Sequence, residues 1–561
     1  MIKNSIILIL TSYFLYSCSS SQKKEADLIF HNAIIYTVDS SFSMQQAMAI
    51  KDGKIIEIGS SEQILSKYSA KETNNLEGKT VFPGFIDAHC HFLGYGLGLQ
   101  KIDLTGTKSF NEVLERVINF SVKKDETKKP ELNSNNNWIV GRGWDQNDWD
   151  VKEYPDNLKL DSLFPNTPVF LKRVDGHAAL VNSEALKRAG INEKTKISGG
   201  ELILKNGKLS GVLIDNAVDL ISSKIPGPSP EKMKQALLAA QKNCFEVGLT
   251  TVDDAGIMKE DVDVIDQLQK SGELKMRVYA MLSDSGPNYK YYLEKGPYKT
   301  DRLNVRSFKF YADGALGSRG ACLLENYSDK KDWKGFLLNT PEHFQKYAGI
   351  LKEKGFQMNT HCIGDSSNRL ILKIYRKAGV VEKKKRGRTR NYRWRIEHSQ
   401  VVNKNDLYLF EDVIPSVQPT HATSDMYWVK DRLGEVRVKN AYAYKDLLGA
   451  NGTIALGTDF PVEDISPFKT FYAAVARKDA KGFPSNGFQI ENALTREETL
   501  KGMTIWAAWS NFEEKEKGSL EKGKFADFII LDKDILKCNI DEVLKTKVLQ
   551  TFVNGEKVFS K

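Results

Sequence analysis

The feature that most constrains the fold is a series of short apolar runs, several of which end in a residue able to bind a cation or move a proton. Val81–Phe85 leads into Asp87-Ala-His89-Cys-His91, Ser307–Tyr311 encloses Lys309, and Gln357–Thr360 ends at His361. Arg393–Glu397 ends at His398, and Thr453–Gly457 stops just short of Asp459. Thr250–Asp253, Arg277–Leu282 and Val413–Gln418 complete the series, with helical stretches such as Ser229–Val247 and Thr340–Lys354 between runs. Alternation of strand and helix over this length predicts a parallel α/β architecture. Functional groups at the C-terminal ends of the strands are what a (β/α)8 barrel of the TIM type places at its mouth.

On a strand, residues i and i+2 point to one face, so His89 and His91 can converge on one ion. Two imidazoles suit a divalent transition metal, most simply Zn²⁺. The chain has only eight histidines. Five of them, His89, His91, His177, His361 and His398, stand at strand ends or in Gly-rich contexts, which concentrates ligands there. A lysine inside an apolar strand is costly unless paired. Lys309 therefore either carries a carbamate that bridges two metals or pairs with Asp313. Asp459 can accept a proton from an activated water and return it to a leaving group; the alternative is a turn or cap role before Pro461. His421, in Gln418-Pro-Thr-His421, is read as pocket lining, and Trp144 and Trp149 as core aromatics or lid contacts to substrate.

The stretch from His91 to Thr250 is far too long for one crossover, so residues 100–225 are read as an insertion that shapes substrate access. The barrel is expected over residues 81–510. Residues 19–80 and 511–561 each show strands with hairpin signals, Asp52-Gly53 and Asn554-Gly555. Neither end has enough strands alone, and together they predict a small composite β-sandwich.

Residues 1–18 run from a basic start through an apolar stretch, too short to span a bilayer, to Leu15-Tyr-Ser-Cys18. This is read as a lipoprotein-type signal with Cys18 lipid-modified, which would tie an exported protein to a membrane on the periplasmic or cell-surface side. A common secretory signal with an incidental cysteine is the alternative. The cysteines left after Cys18 are odd in number and scattered, which is no disulfide framework. A net charge of +9 spread along the chain gives no case for nucleic acid. The basic run Lys383–Arg393 is read as a solvated loop.

Taken together, the motifs resemble the metal-dependent amidohydrolase superfamily, in the branch of N-substituted formamide deformylase (amidohydrolase family 3 type). They are Pro83-Gly-Phe-Ile-Asp-Ala-His-Cys-His91, Gly141-Arg-Gly-Trp-Asp-Gln146, Arg173-Val-Asp-Gly-His177, Gly248-Leu-Thr-Thr-Val252 and Lys309 through Arg319. Thr360-His-Cys-Ile-Gly-Asp365, Arg395-Ile-Glu-His398, Ser416 through His421, and Gly457-Thr-Asp-Phe-Pro461 continue the likeness. The resemblance implies that His89 and His91 hold a first metal and that a carbamylated Lys309 bridges. It implies that His361 and His398 hold a second metal, and that Asp459 is ligand and general base. One ion or two fits. His177 is the candidate donor to an oxyanion, and Trp144, Asp313, Arg319 and His421 are candidate substrate contacts. The activity implied is hydrolysis of a C–N bond in a small amide-like molecule, by a chain that can be a homo-oligomer. Ester or lactone hydrolysis, or ligand binding by a lipoprotein on an inactive barrel, are the rival readings.

Overall fold

The structure, a computed structural model, describes residues 23–123, 138–174, 176, 178–197, 200–380 and 392–561, without the side chains of Val122, Lys123, Asn147, Asp215 and Asn216. The proposed signal, Cys18, His177 and the basic run up to residue 391 lie outside the described residues.

Eight parallel strands form the central sheet. They are β1 (Phe85–Cys90), β2 (Leu249–Ile257), β3 (Arg277–Ser283), β4 (Leu303–Tyr311), β5 (Gln357–Cys362), β6 (Arg395–His398), β7 (Ile414–Val417) and β8 (Ala455–Leu456). Each pairs in parallel with the next. The ends meet where Asp459 N donates to the His89 carbonyl (2.7 Å) and His91 N to that of Phe460 (2.8 Å). This is the TIM-like barrel expected from the strand–helix alternation.

Local chemistry explains the elements. In β4, Phe308 and Phe310 point outward, where Phe308 meets the rings of Tyr289 (5.1 Å) and Phe356 (5.2 Å). Ser307, Lys309 and Tyr311 share the opposite face, as a period of two requires. The helix Pro230–Glu246 starts with the Ser229 side chain accepting from Lys232 N and with proline in its first turn. Thr340 caps Pro341–Lys354 in the same way, and Gly355 ends it at φ 76°.

The barrel interior is polar where a purely aliphatic core would be cheaper. Arg395 Nε donates to Glu397 Oε1 (2.6 Å) and Nη1 to Asp253 Oδ2 (2.8 Å), all fully buried. Asn511 Nδ2 donates to Asp253 Oδ1 (2.7 Å). Buried charges persist only when paired and hydrogen-bonded. Burial alone would raise the Glu397 carboxyl, but Arg395 and His89 beside it hold it well below the usual carboxylate range.

One expected strand divides in two. Val81–Phe85 is not one run: Thr80–Pro83 pairs with Phe528–Leu531 in another sheet, and β1 begins at Phe85. Gly84 is the crossing point, because a Cβ there would lie 2.3 Å from the Thr250 side chain. Strand propensity alone cannot show that the chain changes sheets.

The termini build the composite sandwich. One sheet holds Lys24–His31, Ala47–Lys51, Lys54–Gly59 and Tyr68–Asn75; the other joins Ile34–Tyr36, Met44–Gln45 and Thr80–Pro83 to Phe528–Leu531, Val548–Val553 and Glu556–Ser560. Phe30, Met48, Ile50 and Ile55 pack against Val81, Phe528, Ile530 and Phe552. Both hairpin signals are real turns: Asp52 and Gly53 have φ 50° and 73°, Asn554 and Gly555 φ 53° and 68°. Left-handed values at both central positions define the type I′ turn that suits twisted strands. The insertion between β1 and β2 is a six-stranded sheet, from Ile102–Asp103 to Lys208–Asp215, with its own core around Trp144, Trp149, Leu171 and Leu180.

Barrel and sandwich are joined by a buried ion pair. Arg277, at the start of β3, donates from Nε and Nη2 to Asp527 (2.5 and 3.0 Å), and its guanidinium lies 3.9 Å from the centre of the Phe525 ring. Replacing Arg277 by Met leaves the Asp527 charge buried and unpaired, at a cost of about 3–5 kcal/mol. The variant should unfold at a clearly lower temperature by circular dichroism; a melting curve coincident with the parent's would show that the pair does not hold the two units together.

Candidate metal centre at the barrel mouth

The strand ends bring together six of the side chains singled out in the sequence. His89, at the end of β1, is fully buried, and its Nδ1 lies 2.5 Å from Glu397 Oε2. That contact turns Nε2 inward, to 3.0 Å from Lys309 Nζ and 3.8 Å from Asp459 Oδ1. His91 stands one residue past β1, where the next helix begins. Its Nδ1 faces the Ala255 carbonyl (2.9 Å), so it carries the proton there, and Nε2 reaches Asp459 Oδ1 at 3.2 Å. The two histidines thus converge through a turn at the strand end rather than on one strand face: their rings stand at 89°.

His398 ends β6 with Nδ1 2.7 Å from Gln418 Oε1. Its ring centre lies 4.9 Å from that of His89 and 4.4 Å from that of His361, which is on β5. Asp459 Oδ2 meets His421 Nε2 (3.2 Å), and His421 Nδ1 meets Glu463 Oε1 (3.1 Å). His398 and Asp459 have φ of 72° and 64°. Such strain in residues other than glycine collects at functional sites, where the surroundings hold it in place.

Electrostatics follow from burial. Burial, then the nearby Lys309 charge, lowers His89 to about 4 and His361 to about 3. Burial and His361 take His398 well below its ordinary value. These three are neutral imidazoles at pH 7, the form that offers a lone pair to a metal. Burial lowers the Lys309 amine to about 8. Burial would raise Asp459, but His421 and His91 hold it well below the carboxylate range, so it is ionised. Burial opposes the charge on His421, yet Asp459 and Glu463 raise it well above an ordinary histidine.

These residues fit a divalent cation. His89, His91 and Asp459 present ligand atoms within 4.8 Å of one another, and so do His398, His421 and Asp459. Among the described residues, Asp459 Oδ1 and His361 Nε2 are buried without a hydrogen-bond partner. A buried ionised oxygen with no donor is expensive, and a borderline-soft ion with nitrogen and oxygen ligands is the charge that would compensate it.

Other candidates fall elsewhere. Trp144 is a core residue of the insertion: 1% exposed, it donates its indole N–H to the Leu171 carbonyl (2.7 Å). Among the described residues Asp313 makes no ion pair with Lys309, and its Oδ1 lies 3.8 Å from His361 Nε2. Fully buried, it accepts from the backbone N–H groups of Cys322, Ile363 and Gly364 and from the Ser367 hydroxyl, tying the loops after β4 and β5 together. Arg319 is held by Asp329 (3.1 and 2.8 Å). Of the insertion motifs, Arg173 donates to Gln146 (2.9 Å) and Asp145 (2.5 Å), so two separate stretches of sequence meet at one side chain. Sequence reasoning missed Glu397, Gln418 and Glu463. For Glu397 the signal was present: a charged residue within an apolar strand, as for Lys309.

Comparison with known proteins places this geometry in context. A family model described as "Amidohydrolase family" matches residues 72–559. The chain is 32% identical over 549 residues to the putative amidohydrolase YtcJ of Bacillus subtilis (strain 168), covering 95% of this chain and 99% of that protein. N-substituted formamide deformylase of Arthrobacter pascens is 24% identical, over 94% of this chain and 97% of its own. The crystal structure of an uncharacterized metal-dependent hydrolase from Pyrococcus horikoshii superposes with a TM-score of 0.76 at 27% identity, covering 91% of this chain and 99% of that one.

Glu397 fixes the tautomer and orientation of His89, and a carboxylate in that position raises the basicity of a ligand imidazole. Glu397→Gln keeps the shape and removes the charge. It should weaken zinc affinity by about 10–100-fold in competition with a chromophoric chelator; an affinity equal to the parent's would contradict this role.

Proposed function

The chain belongs to the amidohydrolase family, and from that premise we propose that it is a metal-dependent hydrolase cleaving a C–N bond in a small amide-like molecule, N-formyl or cyclic. The observation that carries this reading is Asp459: a buried, ionised carboxylate with one oxygen between the ring nitrogens of His89 and His91 and the other on His421. The likeness to a protein named for deformylation of N-substituted formamides supports the substrate class.

We propose that His89, His91, His361, His398 and Asp459, with Lys309, hold one or two divalent ions, most simply Zn²⁺. Such an ion, when bound, supplies Lewis acidity and lowers the pKa of water from 15.7 towards about 7. The protein does the rest. His421, gripped by Glu463, holds Asp459 Oδ2 and so fixes the carboxylate that takes a proton from the attacking water. Asp459 then returns that proton to the departing nitrogen, which leaves as a neutral amine. The Lys309 amine occupies the inward nitrogen of His89, at 3.0 Å. Its lowered pKa, about 8, gives it a larger neutral fraction than an ordinary lysine. That fraction can add carbon dioxide and lose a proton, and a carbamate so formed is an anion that would bridge rather than compete for the ligand atom.

Export and anchoring remain part of the proposal. Residues 1–18 and Cys18 lie outside the described residues, and among those described no helix is long and apolar enough to cross a membrane. Cys18→Ser should abolish labelling by a fatty-acid probe in cells; a labelled variant would reject Cys18 as the acceptor.

Asp459→Asn removes the base and preserves the shape. With zinc-loaded protein and a panel of N-substituted formamides and cyclic amides, kcat should fall by about 10²–10⁴-fold, with the circular dichroism spectrum unchanged. Undiminished turnover in the variant would reject Asp459 as the base, and faster cleavage of matched esters than amides by the parent would reject the C–N assignment.

A further inference from the structure

At the barrel mouth Tyr311 is 39% exposed, where His89, His398 and Asp459 are buried. It follows Lys309 by two positions on β4 and so shares its inward face. Its ring lies 4.7 Å from Lys309 Nζ and 5.4 Å from the His361 ring, with which it makes a 43° angle. The phenol tip reaches across to the end of β2. There Gly256, at φ 83°, lacks the side chain whose first atom would lie 3.4 Å from the Tyr311 oxygen. The next residue back, Ala255, supplies the carbonyl that orients His91. The hydroxyl therefore stands on the His91 side of the centre. Among the described residues, no hydrogen bond to that hydroxyl exists; by contrast Tyr279, Tyr289, Tyr327, Tyr375, Tyr442 and Tyr444 all use theirs.

We infer that Tyr311 is a catalytic residue whose hydroxyl donates a hydrogen bond to the carbonyl oxygen of the bond being cleaved. The inference rests on the hydrolase reading above and deepens it. Three features single out this tyrosine. A phenol is a neutral donor at physiological pH, with an ordinary pKa near 10. Its position is fixed by a strand rather than a loop, so the donor is preorganised. Among the described residues the hydroxyl has no hydrogen-bond partner, so no internal bond must break to make the new one. Negative charge develops on the carbonyl oxygen as water adds, and a fixed donor aimed there strengthens in the transition state more than in the ground state.

Tyr311→Phe removes one oxygen and keeps the ring against Lys309 and His361. With N-benzylformamide and zinc-loaded protein, kcat should fall by about 10²–10³-fold, the loss typical of a deleted oxyanion donor, while KM and zinc content stay at parent values. A tetrahedral phosphonamidate of benzylamine should bind the variant more weakly by a similar factor in calorimetry. Unchanged kcat and unchanged phosphonamidate affinity would overturn the inference and leave the hydrolase reading intact. So would a variant that loses zinc, since the hydroxyl would then serve the metal site, or one in which only KM rises. If the parent neither hydrolyses any member of the amide panel nor binds the phosphonamidate, the hydrolase reading itself fails, and this inference with it.

Discussion

The hydrogen bond from Asp459 N–H to the His89 carbonyl, at 2.7 Å, is the constraint on which the rest depends. It joins the last barrel strand to the first, and it fixes in one stroke the two residues whose side chains meet at the mouth. Closure and site assembly are therefore the same event. Neighbouring contacts reinforce the seam: Asp87 accepts from Thr458 N (3.0 Å) and from the Thr458 hydroxyl (2.7 Å). Asp254 likewise accepts from Phe92 N (2.9 Å) and Leu93 N (3.1 Å), holding the turn that carries His91. Burial pushes these two carboxyls up, to about 7 for Asp87 and about 6 for Asp254. The seam thus tolerates buried acids because backbone and hydroxyl donors face them.

Beneath the mouth the same logic continues as a connected polar column. Asp253, Arg395 and Glu397 stack inside the barrel and end on His89 Nδ1. Replacing such a column by aliphatic side chains would cost little stability, since buried ion pairs seldom repay their desolvation. What the column supplies is position: an anion fixed behind one imidazole, so that its other nitrogen faces the centre. On the far side, His421 and Glu463 do the same for Asp459. Both carboxylate–imidazole contacts point towards the space enclosed by His89, His91, His398 and Asp459.

Much of this was legible in the sequence because each barrel strand announces itself as an apolar run and several end in a rare residue type. His89, His91, Lys309, His361, His398 and Asp459 could be listed as neighbours before any coordinates, and the two I′ turns gave away the sandwich. Four things were not legible. The change of sheet at Gly84 depends on what the chain crosses, Thr250, which is far away in sequence. The partner of Lys309 depends on which lone pairs Asp313 has left, and four donors from distant loops had already taken them. Trp144 sits in a motif with the look of a binding loop, yet the insertion needs a large side chain for its own small core. His421 was read only as lining, because nothing local shows that its partner is Asp459.

The most direct test of the account is anomalous X-ray scattering from crystals grown with zinc, recorded on both sides of the zinc absorption edge. The account predicts an anomalous peak in the space bounded by His89 Nε2, His91 Nε2 and Asp459 Oδ1. Zinc bound only elsewhere, with those three atoms left unliganded, would contradict it.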